Sequence, residues 1–206
     1  MTATDRKSHW ENIYSTRRED EVSWFQEDPT LSVALIREAG ITPAARVIDV
    51  GGGGSRLVDV LVAEGQGEVT VLDLADAALA RARQRLGEVP NVTWVVADVT
   101  DWTPDRQFDL WHDRATFHFL TTAAEQAAYV RVMNRALKPG GIAIIGTFAP
   151  DGPQTCSGLP VSRHDAASLQ AILGNGFRLL ATRHQEHITP RGAAQKFQFS
   201  TFAKLT

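Results

Sequence analysis

Cysteine is nearly absent from this chain. Cys156 is the only one in 206 residues. No internal disulfide can form, and zinc sites built on paired cysteines are excluded. That usage fits a reducing cytoplasm, the expected location. Long apolar runs are lacking too, since none approaches the ~18 residues of a membrane-spanning helix. The polar start, MTATDRKSHWENIYSTRRED, has no signal-peptide core. No membrane association is expected. There is no excess of positive charge: the formal net charge is −3, which leaves nothing to neutralise a phosphate backbone. Nucleic acid is therefore an unsuitable main partner. The histidines are scattered. His184 and His187 share an expected strand, but their odd spacing turns them to opposite faces, so no metal site is expected.

What is present is ordinary globular composition, with 43% hydrophobic and 22% charged residues, in a chain long enough for one domain and a small lid. From position 45 onward two patterns alternate. ARVIDV (45–50), EVTVLDL (68–74), NVTWVVADV (91–99), FDLWHD (108–113) and IAIIGTF (142–148) read as strands. SRLVDVLVAEG (55–65), ADAALARARQRLG (75–87) and TAAEQAAYVRVMNRALKPGG (122–141) have helical spacing. Ser55 is the expected N-cap of the first of these helices, and Lys-Pro-Gly-Gly the stop of the last. Such alternation predicts an α/β fold, a mostly parallel sheet with helices on both faces. The last two strand-like segments, 177–189 and 193–205, have no helix between them and should pair as an antiparallel hairpin. The first 40 residues read as one or two helices and a tryptophan-bearing segment over the carboxyl edge of the sheet.

The most pointed string is VIDVGGGGSRLVD (47–59). Four consecutive glycines follow an apolar run ending in an acid, at the place where open α/β sheets bind ligands. A nucleoside triphosphate would want GxxxxGK[ST], and no such lysine is present. A dinucleotide would want GxGxxG, whose third glycine falls on Arg56 or Leu57. S-adenosylmethionine, which has no phosphate, fits better. Its carboxylate suits the amides of a helix N-terminus, and its ammonium suits Asp49. Asp73 ends the second strand where an acid can accept from both ribose hydroxyls. Asp98 follows the third, where an acid can accept from the adenine amino group. Each residue also has a plainer reading: a tight turn for the glycines, a helix N-cap for Asp73, a turn for Asp98. The ordered set argues against coincidence.

These motifs resemble those of the class I S-adenosylmethionine-dependent methyltransferases. VIDVGGGGS is similar to their first motif, acid-x-Gly-x-Gly-x-Gly, with Ser55 in place of the last glycine. VLDL, ADVTDW and LKPGGIAIIGTF resemble later motifs. The resemblance implies a Rossmann-like, seven-stranded sheet with an antiparallel last strand. It also implies a single domain, with 1–40 as helical lid, 41–150 as cofactor core and 151–206 as acceptor loop, helix and hairpin. Gly51 and Gly53 would line the methionine end, Asp73 and Leu74 would hold ribose and adenine, and Asp98 and Val99 would flank the adenine ring. S-adenosylhomocysteine would be the product.

The acceptor question centres on FDLWHDRATFHFL (108–120), just past strand four. It resembles the Trp-Asp-Arg-Gly-Ala segment of thiopurine- and thiol-type S-methyltransferases. It also resembles the Asp-Lys-Gly-Thr segment of some protein-lysine methyltransferases. Ala115 stands where both have glycine. Asp113, Arg114 and His118 are the catalytic candidates, against the alternative of a structural ion pair and a core histidine. Trp10, Trp24, His112, Cys156 and His187 are candidates for the acceptor pocket, with Cys156 alternatively a small buried residue. A small nucleophile is the expected acceptor, a thiol foremost among candidates. A thiol near pKa ~8.5 needs less help to ionise than a lysine near ~10.4. A protein-lysine acceptor and a nonenzymatic, cofactor-binding regulator are the alternatives.

Overall fold

The computed structural model describes residues 3–205. Two helices come first, α1 (Ala3–Thr16) and α2 (Thr30–Glu38). The alternating core follows: β1 (Arg46–Val50), α3 (Leu57–Ala63), β2 (Glu68–Asp73), α4 (Asp76–Leu86), β3 (Val92–Val96), β4 (Phe108–Arg114), α5 (Ala123–Ala136) and β5 (Leu137–Phe148). A two-stranded ribbon, β6 (Thr155–Cys156) and β7 (Leu159–Pro160), interrupts the Gly- and Pro-rich loop. Helix α6 (Ala166–Leu173) leads into β8 (Phe177–Ile188) and β9 (Ala194–Lys204).

Seven strands form one sheet in the order β3-β2-β1-β4-β5-β9-β8. Pairs from β3 to β5 are parallel, and β9 is antiparallel to both β5 and β8. The expected fold is borne out, hairpin included. Strand order reverses between β1 and β4, which opens a crevice at their carboxyl ends. The glycine loop leaves β1 at that point, and the HDRATFHF segment leaves β4 beside it.

Alternation along the strands feeds two cores. Ile48 and Trp111 face a cluster with Tyr129, Phe117 and Phe202 on the α5 side. Val47 and Leu110 face a second with Leu57, Phe148, Phe197 and Phe199. The same alternation decides which face each polar residue of β4 occupies.

Two local expectations need correction. Helix α3 starts at Leu57, and the Ser55 hydroxyl accepts from the Leu57 amide at 3.1 Å. It turns the chain into the helix instead of capping it. Helix α5 ends at Ala136, before Lys-Pro-Gly-Gly, because Leu137 already pairs with Phe108 as the start of β5. Lys138 then reaches the Asp109 carboxylate at 2.7 Å, which fixes this end of the strand.

The N-terminal segment is tied to the carboxyl edge. Glu11 on α1 accepts from the amides of Asp76 and Ala77 at 2.8 and 3.1 Å. A foreign carboxylate thus satisfies the free N–H groups at the start of α4 and complements its dipole. Arg81 on α4 donates back to the carbonyls of Tyr14 and Arg17.

Candidate active site

The glycine loop is tight because three of its four residues have no room for a side chain. Gly51 has φ +65°, and a Cβ there would stand 1.8 Å from Thr116 Oγ1. A Cβ on Gly52 would stand 2.5 Å from Asp49 Oδ2. On Gly53, at φ +42°, it would stand 2.8 Å from Asp73 Oδ2 and 3.1 Å from the Tyr14 hydroxyl. Only glycine tolerates both the left-handed backbone and the close approach.

Asp49 lies beneath this loop. One oxygen bonds His112 Nδ1 at 2.7 Å, and His112 Nε2 bonds the Ser32 hydroxyl at 2.9 Å. The three side chains form one buried chain from α2 through β4 to β1. The other oxygen, Oδ2, is buried and has no partner among the described residues. An unsatisfied buried carboxylate oxygen is costly, and a cationic group arriving at the loop would complete it. His112 therefore positions Asp49 and does not itself reach out to an acceptor.

Asp73, at the end of β2, uses Oδ1 to accept from the Ala75 amide at 2.9 Å, and its Oδ2 faces Gly53. It caps the turn and also presents an oxygen, so the two readings of this residue coexist. Burial pushes its pKa up to about 7, opposed by the Ala75 amide. Asp98 is more engaged than expected. Its Oδ1 accepts from the amide and hydroxyl of Thr100 at 2.9 and 2.7 Å, and Oδ2 faces Arg6 at 3.5 Å. Arg6 also holds Glu125 at 2.7 Å, which staples α1 across this end. Asp73, Leu74, Asp98 and Val99 line one cleft together with Gly51, Trp10, Trp24, Arg114 and Cys156. It encloses about 770 Å³ of space, counted to its open mouth.

Strand four divides its polar residues between two faces. Asp113 points away from the cleft into the α5 core. Its carboxylate accepts from the amides of Thr116 (2.9 Å) and Phe117 (3.1 Å) and from the Tyr129 hydroxyl (2.7 Å). Tyr129 in turn accepts from Trp111 Nε1 at 2.7 Å. Burial raises the Asp113 pKa to about 6, and these hydrogen bonds hold it below what burial alone would give. The carboxylate is committed to turning the chain out of β4. It neither pairs with Arg114 nor reaches the cleft.

Arg114 faces the other way, into the cleft wall. One Nη donates to the Trp24 carbonyl at 3.0 Å, and the guanidinium lies 5.3 Å from the centre of the Phe197 ring. Its Nε and other Nη have no partner, and burial pushes its pKa down to about 10. Ala115 follows with φ +69°. An L-residue is strained there by about 1–2 kcal/mol, in the position where the resembling families have glycine.

The remaining candidates separate. His118 is fully buried between Phe119 and Phe148, with ring centres 4.4 and 4.8 Å away. Burial drives its pKa down to about 3, so it is a neutral core histidine at ordinary pH. His187 donates from Nε2 to the Ser23 carbonyl at 2.8 Å. The carbonyl can only accept, so Nε2 carries the proton, and His187 pins the tryptophan-bearing segment. Burial raises the Cys156 thiol to about 11, so it stays protonated. Trp10 and Trp24 pack edge to face at 5.5 Å, with Phe119 5.0 Å from Trp10.

Four contributors were not anticipated: Arg6, Tyr14, Ser32 and Thr116. Tyr14 borders the cleft and the adjoining hollow under the loop. Burial pushes its phenol well above the ordinary range, so it acts as a neutral hydroxyl. Of the four, Thr116 alone had a signal, its place in the strand-four string.

Residues 47–141 match the family model described as "Methyltransferase domain". That segment is somewhat less than half of the chain. The matched residues run from β1 into β5 and include the glycine loop, Asp73, Asp98 and the whole strand-four string. Among curated proteins, the chain is 35% identical over 122 residues to the ubiquinone/menaquinone biosynthesis C-methyltransferase UbiE of Shewanella sp. (strain ANA-3). That alignment covers 55% of this chain and 47% of the relative. It is 27% identical over 192 residues to thiocyanate methyltransferase 1 of Arabidopsis thaliana, covering 91% of this chain and 81% of that one. The chain spans about half the length of several curated relatives it matches. In fold, the chain is similar to N-methyltransferase NodS from Bradyrhizobium japonicum WM9, solved with S-adenosyl-l-homocysteine. The TM-score is 0.74 at 16% identity, over 96% of this chain and 98% of that one.

The residues fit S-adenosylmethionine on the geometry alone. Asp49 Oδ2 is a buried acceptor without a donor. The glycines let the loop backbone pass close to Thr116, Asp49 and Asp73, where a Cβ at Gly51, Gly52 or Gly53 would collide. Asp73 turns an oxygen towards that loop, and a second acid stands further along the same cleft.

Proposed function

We propose that this protein transfers a methyl group from S-adenosylmethionine to a small nucleophilic molecule. The observation that carries the reading is the pair of carboxylates around the glycine loop. Asp49 offers a free oxygen below it and Asp73 an oxygen beside it; Asp73 lines the cleft and Asp49 the adjoining hollow under the loop. Asp49 would receive the ammonium of the methionine end, oriented by the His112–Ser32 chain. Asp73 would accept from the ribose hydroxyls, with Leu74 and Val99 against the adenine and Asp98, shared with Arg6, at its edge. When bound, the sulfonium supplies an electrophilic methyl carbon and a good leaving group.

The chain's own contribution is positioning. Holding two reactants in line is worth up to ~7–11 kcal/mol in well-oriented cases. Trp10, Trp24 and Phe119 wall the cleft with aromatic surface, which excludes water from the transfer. None of Asp113, His118 and His187 is placed to take a proton from an acceptor in the cleft. A nucleophile that arrives already ionised suits such a site, and this supports a thiol or a similarly soft acceptor. The cited likeness to a thiocyanate methyltransferase points the same way at low identity.

Methyl-labelled S-adenosylmethionine offered with a panel of small thiols, and separately with a cell extract, tests the reading. Label in low-molecular-weight product supports it. Label confined to protein bands would replace it with a protein methyltransferase. Tight cofactor binding with no transfer to anything would replace it with a regulatory protein.

A further inference from the structure

Arg114 is a cation without a paired anion among the described residues. Its guanidinium is buried in the cleft wall at the carboxyl end of β4. Of its donors, one Nη reaches the Trp24 carbonyl, while Nε and the other Nη reach nothing. The strongest negative influence on it is Asp49, already bonded to His112. A buried charge that is neither paired nor fully hydrogen-bonded is costly. An unsatisfied polar group of this kind in a cleft calls for a ligand.

The sheet order indicates which ligand. Asp73 ends β2, Asp98 follows β3, and the glycine loop follows β1. Arg114 lies across the switch point, on β4, with Phe197 of β9 under its guanidinium. The cofactor's ribose, adenine and ammonium are provided for on the β3–β1 side. What remains for the β4 side is the acceptor or the cofactor's own carboxylate, which the S-adenosylhomocysteine affinity of Arg114→Gln tells apart. A protonated amine there would meet a like charge.

We infer that the methyl acceptor is a small anion, bound through the free edge of the Arg114 guanidinium. This rests on the methyltransferase reading above. The anion carries its charge on, or in conjugation with, the attacking atom. Its lone pair makes the new bond to the methyl carbon as the carbon–sulfur bond breaks and that electron pair stays on sulfur. One negative and one positive centre become two neutral ones. No proton is released and no base is needed, which accords with Asp113 facing away. A guanidinium also suits planar, delocalised anions, which it meets with two parallel N–H donors.

The test uses unreactive probes on the full chain loaded with S-adenosylhomocysteine. Benzoate and nitrate are titrated by calorimetry, with benzamide as the neutral isostere of benzoate. At least one anion should bind, and benzamide should bind at least tenfold more weakly than benzoate. Arg114→Gln should weaken anion binding at least tenfold, Arg114→Lys should lie between, and affinity for S-adenosylhomocysteine should change by less than twofold. Equal binding of benzoate and benzamide, or no anion binding, overturns the inference. So does a tenfold loss of S-adenosylhomocysteine affinity in Arg114→Gln, which would put the cofactor's own carboxylate on Arg114. If Arg114→Gln does not fold, the benzoate–benzamide comparison in the unmodified protein decides. If S-adenosylhomocysteine itself fails to bind, the proposed function falls, and the anion titration of the protein alone still judges Arg114.

Discussion

Replacing Asp113 with alanine should break the fold before it touches the chemistry. The carboxylate is fully buried and serves three donors, the amides of Thr116 and Phe117 and the Tyr129 hydroxyl. Each donor stranded without an acceptor costs ~1–3 kcal/mol. Against that, the substitution removes a buried charge, a real gain, since burial already raises the group's pKa to about 6. The balance is a net loss of ~2–4 kcal/mol. For a domain of this size each kcal/mol is worth ~2–4 °C, so the melting temperature should fall by ~5–15 °C. The sign of the pH effect follows as well. The folded carboxyl holds its proton more tightly than the unfolded one at 3.8. The folded state is therefore the more protonated between pH ~4 and ~6, and this group's contribution to stability falls as pH rises through that window. Asp113→Ala should lose that segment of the pH dependence. Thermal denaturation from pH 4 to 8 reads both effects, and calorimetry well below the transition reads cofactor affinity, expected within threefold of the parent. A variant that melts with the parent yet loses a hundredfold in turnover would refute the structural role and return Asp113 to the chemistry.

Other substitutions test the site. Gly51→Ala puts a Cβ on Thr116 Oγ1 at positive φ. The backbone alone costs ~1–2 kcal/mol, so cofactor affinity measured by calorimetry should drop at least tenfold; adding Thr116→Gly should recover part of it, and an unaffected Gly51→Ala would show that the loop rearranges. Ala115→Gly relieves a left-handed alanine and should raise stability by ~0.5–1 kcal/mol after the unfolded-state entropy of glycine is counted; a lower melting temperature would contradict the strained backbone. Asp73, raised to about 7, must be ionised to accept from two hydroxyls, so cofactor binding should weaken up to tenfold per unit below pH ~7 and level off above it; Asp73→Asn should bind more weakly with that slope removed, and an unchanged slope would assign it to another group.

The sheet was legible in the sequence because strand-to-helix alternation and the missing helix between the last two strands depend on local pattern. The acids Asp49 and Asp73 were legible because each is the final or near-final residue of a short apolar strand, a position that topology brings to one edge. The failures share a cause. Asp113 and Arg114 are adjacent, so a strand must turn them to opposite faces, and the sequence does not say which face holds the cleft. His118 looked chemical beside them, but the short helical turn at Phe117–Phe119 buries it among aromatics. Ser32, Tyr14 and Arg6 come from α1 and α2, whose docking over the sheet is set by long-range contacts such as Glu11 on the start of α4. No periodicity in the first 40 residues encodes those contacts. Lys-Pro-Gly-Gly misled for a similar reason, because pairing of Leu137 with Phe108 overrode a local stop signal.

Calorimetric titration of the unmodified protein tests the central claim most directly. S-adenosylmethionine and S-adenosylhomocysteine should each bind saturably at one site per chain, with Asp73→Ala reducing the affinity at least tenfold, while NAD and ATP should give no saturable heat. Binding of NAD or ATP in place of S-adenosylmethionine, or no binding of any of the four, would contradict the account.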